Sequence, residues 1–346
     1  MATWPRSLAA RRLPDNMALP KPPLALVQNG LAQHGQYAGL IDRLDWSGLQ
    51  TAQPKSALWR RLHHKRWQYI GIGSDDVFVG VAIVNVGWCQ TAFAYVFDRR
   101  RRRLLADWSA DGLPGLNGGV SDEPVVGATS WFKSFGSSLS IHHEADALHV
   151  RVDAGGIQLQ AALSLKDAPD FLLAVGPIEQ GVSHATQKSP GLMVSGQLVV
   201  AGQKHTLDGA IGCLDSSNGL LARDTAWRWA CAHGPGVGFN LQDGYFGNNE
   251  NVLWLDGQLM VLGRAHFEFD AAQPLKPWRV YTDDGLLDLS FNPEGARQED
   301  RNLLIAASHY VQPVGTFNGW VKAHAMAQAK PVTGLLGVTE DHHSRW

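Results

Sequence analysis

The sequence predicts an all-β protein made of two antiparallel β-barrels in tandem behind an irregular N-terminal segment. Three observations predict it. Roughly fifteen short apolar or alternating runs are separated by tight turns. Helical periodicity is almost absent. The 346 residues include 37 Gly, 13 Trp and 12 Phe, a composition that suits turns and pleated surfaces better than helices. Barrel closure removes exposed sheet edges, and two eight-stranded units fit the strand count.

Hydrophobic residues make up 45% and charged residues 18%, which excludes a disordered chain. The net charge of -2 offers no global attraction for nucleic acid. No run of about 18 apolar residues is present, so no integral membrane segment is expected. Cys89, Cys213 and Cys231 are widely spaced, with no CxxC and no zinc spacing. They imply a reducing, cytoplasmic setting and no metal site. GPGVG at 234–238 lacks the Lys and the following helix of a phosphate loop, and neither a Rossmann fingerprint nor a GxSxG elbow occurs. No cofactor is expected.

Along the chain, residues 1–16 carry three arginines and no apolar stretch, and read as a disordered leader. Residues 17–185 form the first barrel-like half and 186–346 the second. Pro20, Pro22 and Pro23 exclude a regular helix at the start. Residues 57–64 (ALWRRLHH) predict one short helix. Strands follow at 67–72, 77–86, 91–97 and 104–108. The run Asp98 to Arg103 (DRRRRR) resembles a polyanion patch, but between two strands it reads better as a solvated hairpin connection. Further strands are expected at 138–142, 147–153, 156–165 and 171–175. Residues 177–190 are polar and loop-like, and mark the boundary between halves.

The second half resumes at 192–200 and 205–214, and residues 215–219 (DSSNG) read as a turn. Residues 259–269 alternate cleanly, as one half-buried strand should. The stretch 223–256 is the densest in site-like features. Trp227, Trp229 and Cys231 share one strand face, Arg228 and Ala230 the other. A polar connection with Asn240, Asp243 and Glu250 follows, then Trp254. Aromatic walls beside a few fixed polar groups suit a small-molecule pocket.

LLARDTAWRWA (220–230), GFNLQDG (238–244), LDLSFNPEGAR (287–297), QPVGTFNGWV (312–321), GVTEDHHSRW (337–346) and KRWQYIGI (65–72) occur in an order and spacing that resemble a bacterial family known as domain of unknown function 2804. The resemblance runs from about Pro22 to Trp346. It implies a tandem lipocalin-like (calycin) architecture, similar to carotenoid hydratases and some cofactor-free cyclases. Such barrels generally enclose apolar ligands. The family supplies no catalytic residues to carry over.

The leading expectation is therefore a protein that binds an apolar small molecule, a lipid or isoprenoid, in a barrel cavity. Trp227, Trp229, Arg228, Asn240 and Trp254 are the candidate ligand contacts. The alternative is a cofactor-independent hydratase, isomerase or cyclase using Glu250, Asp215 and His309 as acid-base residues. Whether the chain is an enzyme stays open here. A structural protein with filled interiors is the third reading. Glu340, His342 and His343 also have metal-ligand chemistry, but adjacent histidines on a strand point to opposite sides.

Overall fold

The computed structural model describes residues 18–302 and 307–346, so the expected leader at 1–16 lies outside it. Apart from the helix Ala57–His63, the described elements are strands, and they form a 15-stranded and a 9-stranded antiparallel sheet besides a small hairpin. The helix is where the sequence places it, with the Ser56 hydroxyl accepting from the Trp59 amide as N-cap. Among the described residues no helix is long and apolar enough to cross a membrane.

The first sheet runs in order through Arg103–Gly112, Gln90–Asp98, Val77–Asn85, His64–Gly73, Ala210–Leu220, Leu192–Val200, Ile157–Ser164, Ala147–Ala154, Ser137–Glu144, Thr129–Ser134 and Gly118–Gly119. It forks at Ala210–Leu220. That strand pairs with Leu192–Val200 through residues 210–212 and with Ser183–Lys188 through residues 215–220. Ser183–Lys188 continues the branch to Leu172–Pro177 and then Gly35–Ala38. The second sheet is ordered Gln258–Val261, Val252–Leu255, Val237–Gly244, Asp224–Gly234, Lys330–Arg345, Ala307–Val321, Leu287–Asn302, Trp278–Thr282 and Ala265–Glu268.

Period-2 patterning decides which side chains go where. In Ala147–Ala154, Leu148, Val150 and Val152 are buried while Arg151 and Asp153 are exposed. Both sheets curl into barrels whose interiors are packed with apolar side chains. The first holds Ile70, Val79, Val81, Phe132, Leu148 and Leu159 among others. The second is built around Phe239, Trp278, Leu289, Phe291 and Phe317, with the Phe239 and Phe317 rings edge to face at 5.0 Å. Burying each such side chain contributes about 1.5–3 kcal/mol. The opposite faces of the same strands form a seam between the barrels, where Tyr69, Phe78, Tyr95, Trp229 and Cys231 meet. Gly80 makes room in this seam: a Cβ there would lie 2.2 Å from the Tyr95 ring.

Four sequence expectations change. Residues 177–190 are not a loop throughout, because Ser183–Lys188 is a strand buried along its whole length. Residues 215–219 are not a turn but part of the strand Ala210–Leu220, where Asp215 finds hydroxyl partners in Ser217 and in Thr186 of the neighbouring strand. Residues 259–269 form two strands, Gln258–Val261 and Ala265–Glu268. The break is held where Leu262 donates to Asn251 O and Gly263 to the Asp284 carboxylate. The boundary expected at 186 falls inside Ser183–Lys188, and the two sheets divide instead between Leu220 and Asp224. The arginine run is a hairpin connection, with Arg99, Arg100 and Arg101 paired to Glu294, Asp76 and Asp98.

Candidate functional site in the seam between the barrels

Strand register lays out the seam in rows. On the first sheet, Lys188, Asp215 and Tyr69 are cross-strand partners in one row, and Thr186, Ser217 and Trp67 in the next. On the second, Trp227, His342 and Tyr310 form one row, with Trp229 opposite Glu340 beside it. The connection 245–251 adds Tyr245, Phe246 and Glu250. Side chains in register on adjacent strands stand about 4.5–5.5 Å apart, so each row becomes a contact network.

The centre is Lys188. Its Nζ lies 2.7 Å from Asp215 Oδ2 and 3.3 Å from Glu250 Oε2, and 5.9 Å from the centre of the Trp229 ring. Asp215 Oδ1 accepts from the hydroxyls of Thr186 (3.2 Å) and Ser217 (3.0 Å). Asn240 ties the acid-bearing loop to the tryptophan. Its amide donates to Glu250 O at 2.9 Å, and its Oδ1 accepts from Trp229 Nε1 at 2.8 Å. Lys188 and Glu250 are only 4% exposed, so these charges interact with little solvent screening.

Burial pushes the Glu250 carboxyl above its ordinary pKa, and neighbouring Asp215 adds to the rise while Lys188 opposes it. Burial would lower the Lys188 ammonium, but Asp215 and Glu250 together outweigh it and hold its pKa up. One cation thus faces two carboxylates, and burial raises the pKa of Glu250. Beside them, His184 is fully buried against Tyr245, Phe246 and Trp67. Burial, reinforced by Lys188, drops its pKa to about 3, so the imidazole is neutral. Its Nδ1 meets the Tyr245 hydroxyl at 3.2 Å, while Nε2 has no hydrogen-bond partner.

A second network backs the first. Glu340 accepts from Trp227 Nε1 (2.9 Å) and Gln312 Nε2 (2.8 Å), and lies 3.2 Å from His342 Nδ1. Gln312 Oε1 accepts in turn from the Tyr95 and Tyr69 hydroxyls. Trp227 stacks parallel to Trp67 at 6.4 Å and contacts the His342 ring at 4.1 Å. A cleft of about 510 Å³ opens between the sheets, lined by Tyr69, Phe78, Cys213, Cys231, His233 and Leu335 among others. Tyr69, in the cleft wall, is the cross-strand partner of Asp215.

Among the residues singled out from sequence, Glu250 and Asp215 meet through Lys188, and Trp229, Trp227 and Asn240 surround them. Trp254 lies to one side, packing on His233 and donating to Asp170 O. Arg228 faces the other way, half-exposed between Asp243 and Asp341. His309 is a correction: its side chain is 64% exposed and 3.9 Å from Asp300. Tyr310 faces the Trp227 row, so the preceding residue must point out. Sequence reasoning missed Lys188 and His184. They alternate with Ser183, Ala185 and Gln187 in a strand buried on both faces, where polar composition hides the period.

The two barrels and the seam between them define a tandem β-barrel protein. The chain belongs to the family described as Domain of unknown function (DUF2804), whose model matches residues 21–346. A candidate AttH protein from Nitrosomonas europaea has a similar structure, with a TM-score of 0.53 at 14% identity, covering 82% of this chain and 92% of that one. Kievitone hydratase from Nectria haematococca is similar at a TM-score of 0.51 and 12% identity, covering 82% and 88%. At these identities the likeness is one of fold. No curated protein matches the chain.

Proposed function

We propose that the protein is an acid-base enzyme of the hydratase, isomerase or cyclase kind, acting on a hydrophobic unsaturated substrate at the seam. One observation carries this reading: a buried carboxyl, Glu250, whose pKa burial raises, placed 3.3 Å from Lys188, whose ammonium lies 5.9 Å from the centre of the Trp229 ring. An apolar substrate would have to pass Tyr69, in the cleft wall, to reach the buried Glu250. Glu250 donates its proton to an alkene carbon, and the carboxylate left behind is stabilised by Lys188 at 3.3 Å. Positive charge on the substrate is tolerated by the tryptophan faces. In a hydration, water then adds and its excess proton returns to Glu250. In an isomerisation or cyclisation, a C–H proton returns instead. Structural likeness to a hydratase supports the class and leaves the substrate open.

The test uses purified full-length protein and a panel of isoprenoid and unsaturated-lipid alkenes in D₂O containing ¹⁸O-water. The expected result is deuterium incorporation, with ¹⁸O as well if water adds. Glu250→Gln should slow this by about 10²- to 10⁴-fold. The carrier reading has one observation in its favour, the cleft of about 510 Å³. Ligands recovered bound but isotopically unchanged across the panel would replace the enzyme reading with that one.

A further inference from the structure

We propose that Cys213, Cys231 and His233 form a binding site for a thiophilic divalent metal ion, with Zn²⁺ the best fit, bridging the two barrels. Cys213 comes from the first sheet, Cys231 and His233 from the second. The three are far from a zinc spacing in sequence, yet only the connection 221–223 separates their strands, so the chain folds back on itself there. Residues 231 and 233 project to the same side of one strand. The ligand atoms of all three lie within 4.8 Å of one another.

The two edges that meet at Cys231 are those of a metal tetrahedron, and the third lies within 4.8 Å. With Zn–S near 2.3 Å and Zn–N near 2.0–2.1 Å, tetrahedral angles require an S–S edge of roughly 3.8 Å and an S–N edge of roughly 3.5 Å. Cys231 Sγ is 3.8 Å from Cys213 Sγ and 3.3 Å from His233 Nε2. A disulfide would need about 2.05 Å. Two thiolates balance a dication, so the loaded site is neutral and suits a buried position. Their two protons leave through the cleft as the metal enters.

The surroundings fit an open site. All three residues line the cleft of about 510 Å³, which leaves a fourth position free for water or a ligand. The imidazole is set by packing. Gly238 lies against it, and a Cβ there would stand 2.2 Å from Nδ1, while Trp254 covers it at 5.4 Å. Cys89 lies elsewhere, its thiol against Gln90 O, and takes no part. This inference does not depend on the acid-base reading, because it concerns binding and uses different residues.

The experiment is anaerobic titration of reduced, chelator-treated full-length protein with Co²⁺ alone. Thiolate charge-transfer absorption and intense tetrahedral d–d bands should saturate at one equivalent and vanish when Zn²⁺ is added. Cys213→Ser, Cys231→Ser and His233→Ala should each weaken Co²⁺ binding at least about tenfold, and Cys89→Ser should leave it unchanged. Circular dichroism establishes that each variant is folded. If His233→Ala fails to fold, the cysteine variants decide. Folded wild-type protein that shows no such bands, or a Cys213–Cys231 disulfide in protein isolated under argon, would overturn the proposal.

Discussion

The interior of each barrel and the seam between the barrels are equally buried but chemically opposite. Leu148 and Val150 inside the first barrel, and Phe291 and Phe317 inside the second, each pack among apolar side chains. In the seam, Lys188, Asp215, Glu250 and Glu340 are held at short range by one another, by hydroxyls and amides and by indoles. The same strands make both, since alternation gives each strand one side for each environment. The barrels therefore provide rigidity by burial, and the seam is where polar groups can be fixed without water. Buried charge is tolerated there because each group has a partner from another strand.

Two substitutions should separate the regions most sharply. Phe317→Ala in the second barrel should cost about 3–5 kcal/mol by leaving a cavity. Lys188→Met should cost a similar amount, about 3–5 kcal/mol, by leaving two carboxyls without their cation. Urea unfolding measures both. The difference lies in rescue: Lys188→Met/Asp215→Asn/Glu250→Gln should recover most of the loss, whereas no polar change should rescue Phe317→Ala. If the triple variant stays as unstable as Lys188→Met, the seam is held by packing and not by charge pairing.

The next effect is pH dependence. The groups facing His184 are Lys188, Asp215 and the Tyr245 hydroxyl. Its folded pKa of about 3 lies below the ordinary 6.5, so between these values the unfolded chain binds a proton that the folded one does not. Stability from this group is complete above pH 6.5 and is lost as pH falls toward 3. Glu250, raised by burial, acts in the opposite sense above the ordinary carboxylate range. Comparison with His184→Gln isolates the histidine: the wild type should lose roughly 1.4 kcal/mol more per pH unit across that window. Parallel curves for the two proteins would show that His184 is not buried as described. The smallest effect should be at His309. His309→Ala should change stability by no more than about 0.5 kcal/mol and leave turnover untouched.

The all-β architecture was readable because strands such as Ala147–Ala154 alternate apolar and polar residues against solvent. The tryptophans and Glu250 were readable because they stand out in composition. The remainder was hidden for a physical reason. Ser183–Lys188 has no solvent face, so its polar residues look like a loop until partners arrive from residues 215–217 and 250. His309 misled in the opposite direction, since an apolar neighbourhood in sequence does not say which face of a strand is inward. The Cys213, Cys231 and His233 cluster depends on a sheet-to-sheet turn that no spacing rule encodes.

The fork at Ala210–Leu220 also dictates when the molecule can assemble. His64–Gly73 hydrogen-bonds to residues 211–220, so the first barrel lacks a wall until most of the chain behind it has left the ribosome. Asp224–Gly234 waits in the same way for Lys330–Arg345. Pairings this distant in sequence make closure slow, and the open edge of His64–Gly73 stays exposed in the interval. The polar seam is complete only after both closures, because its two networks draw on both sheets.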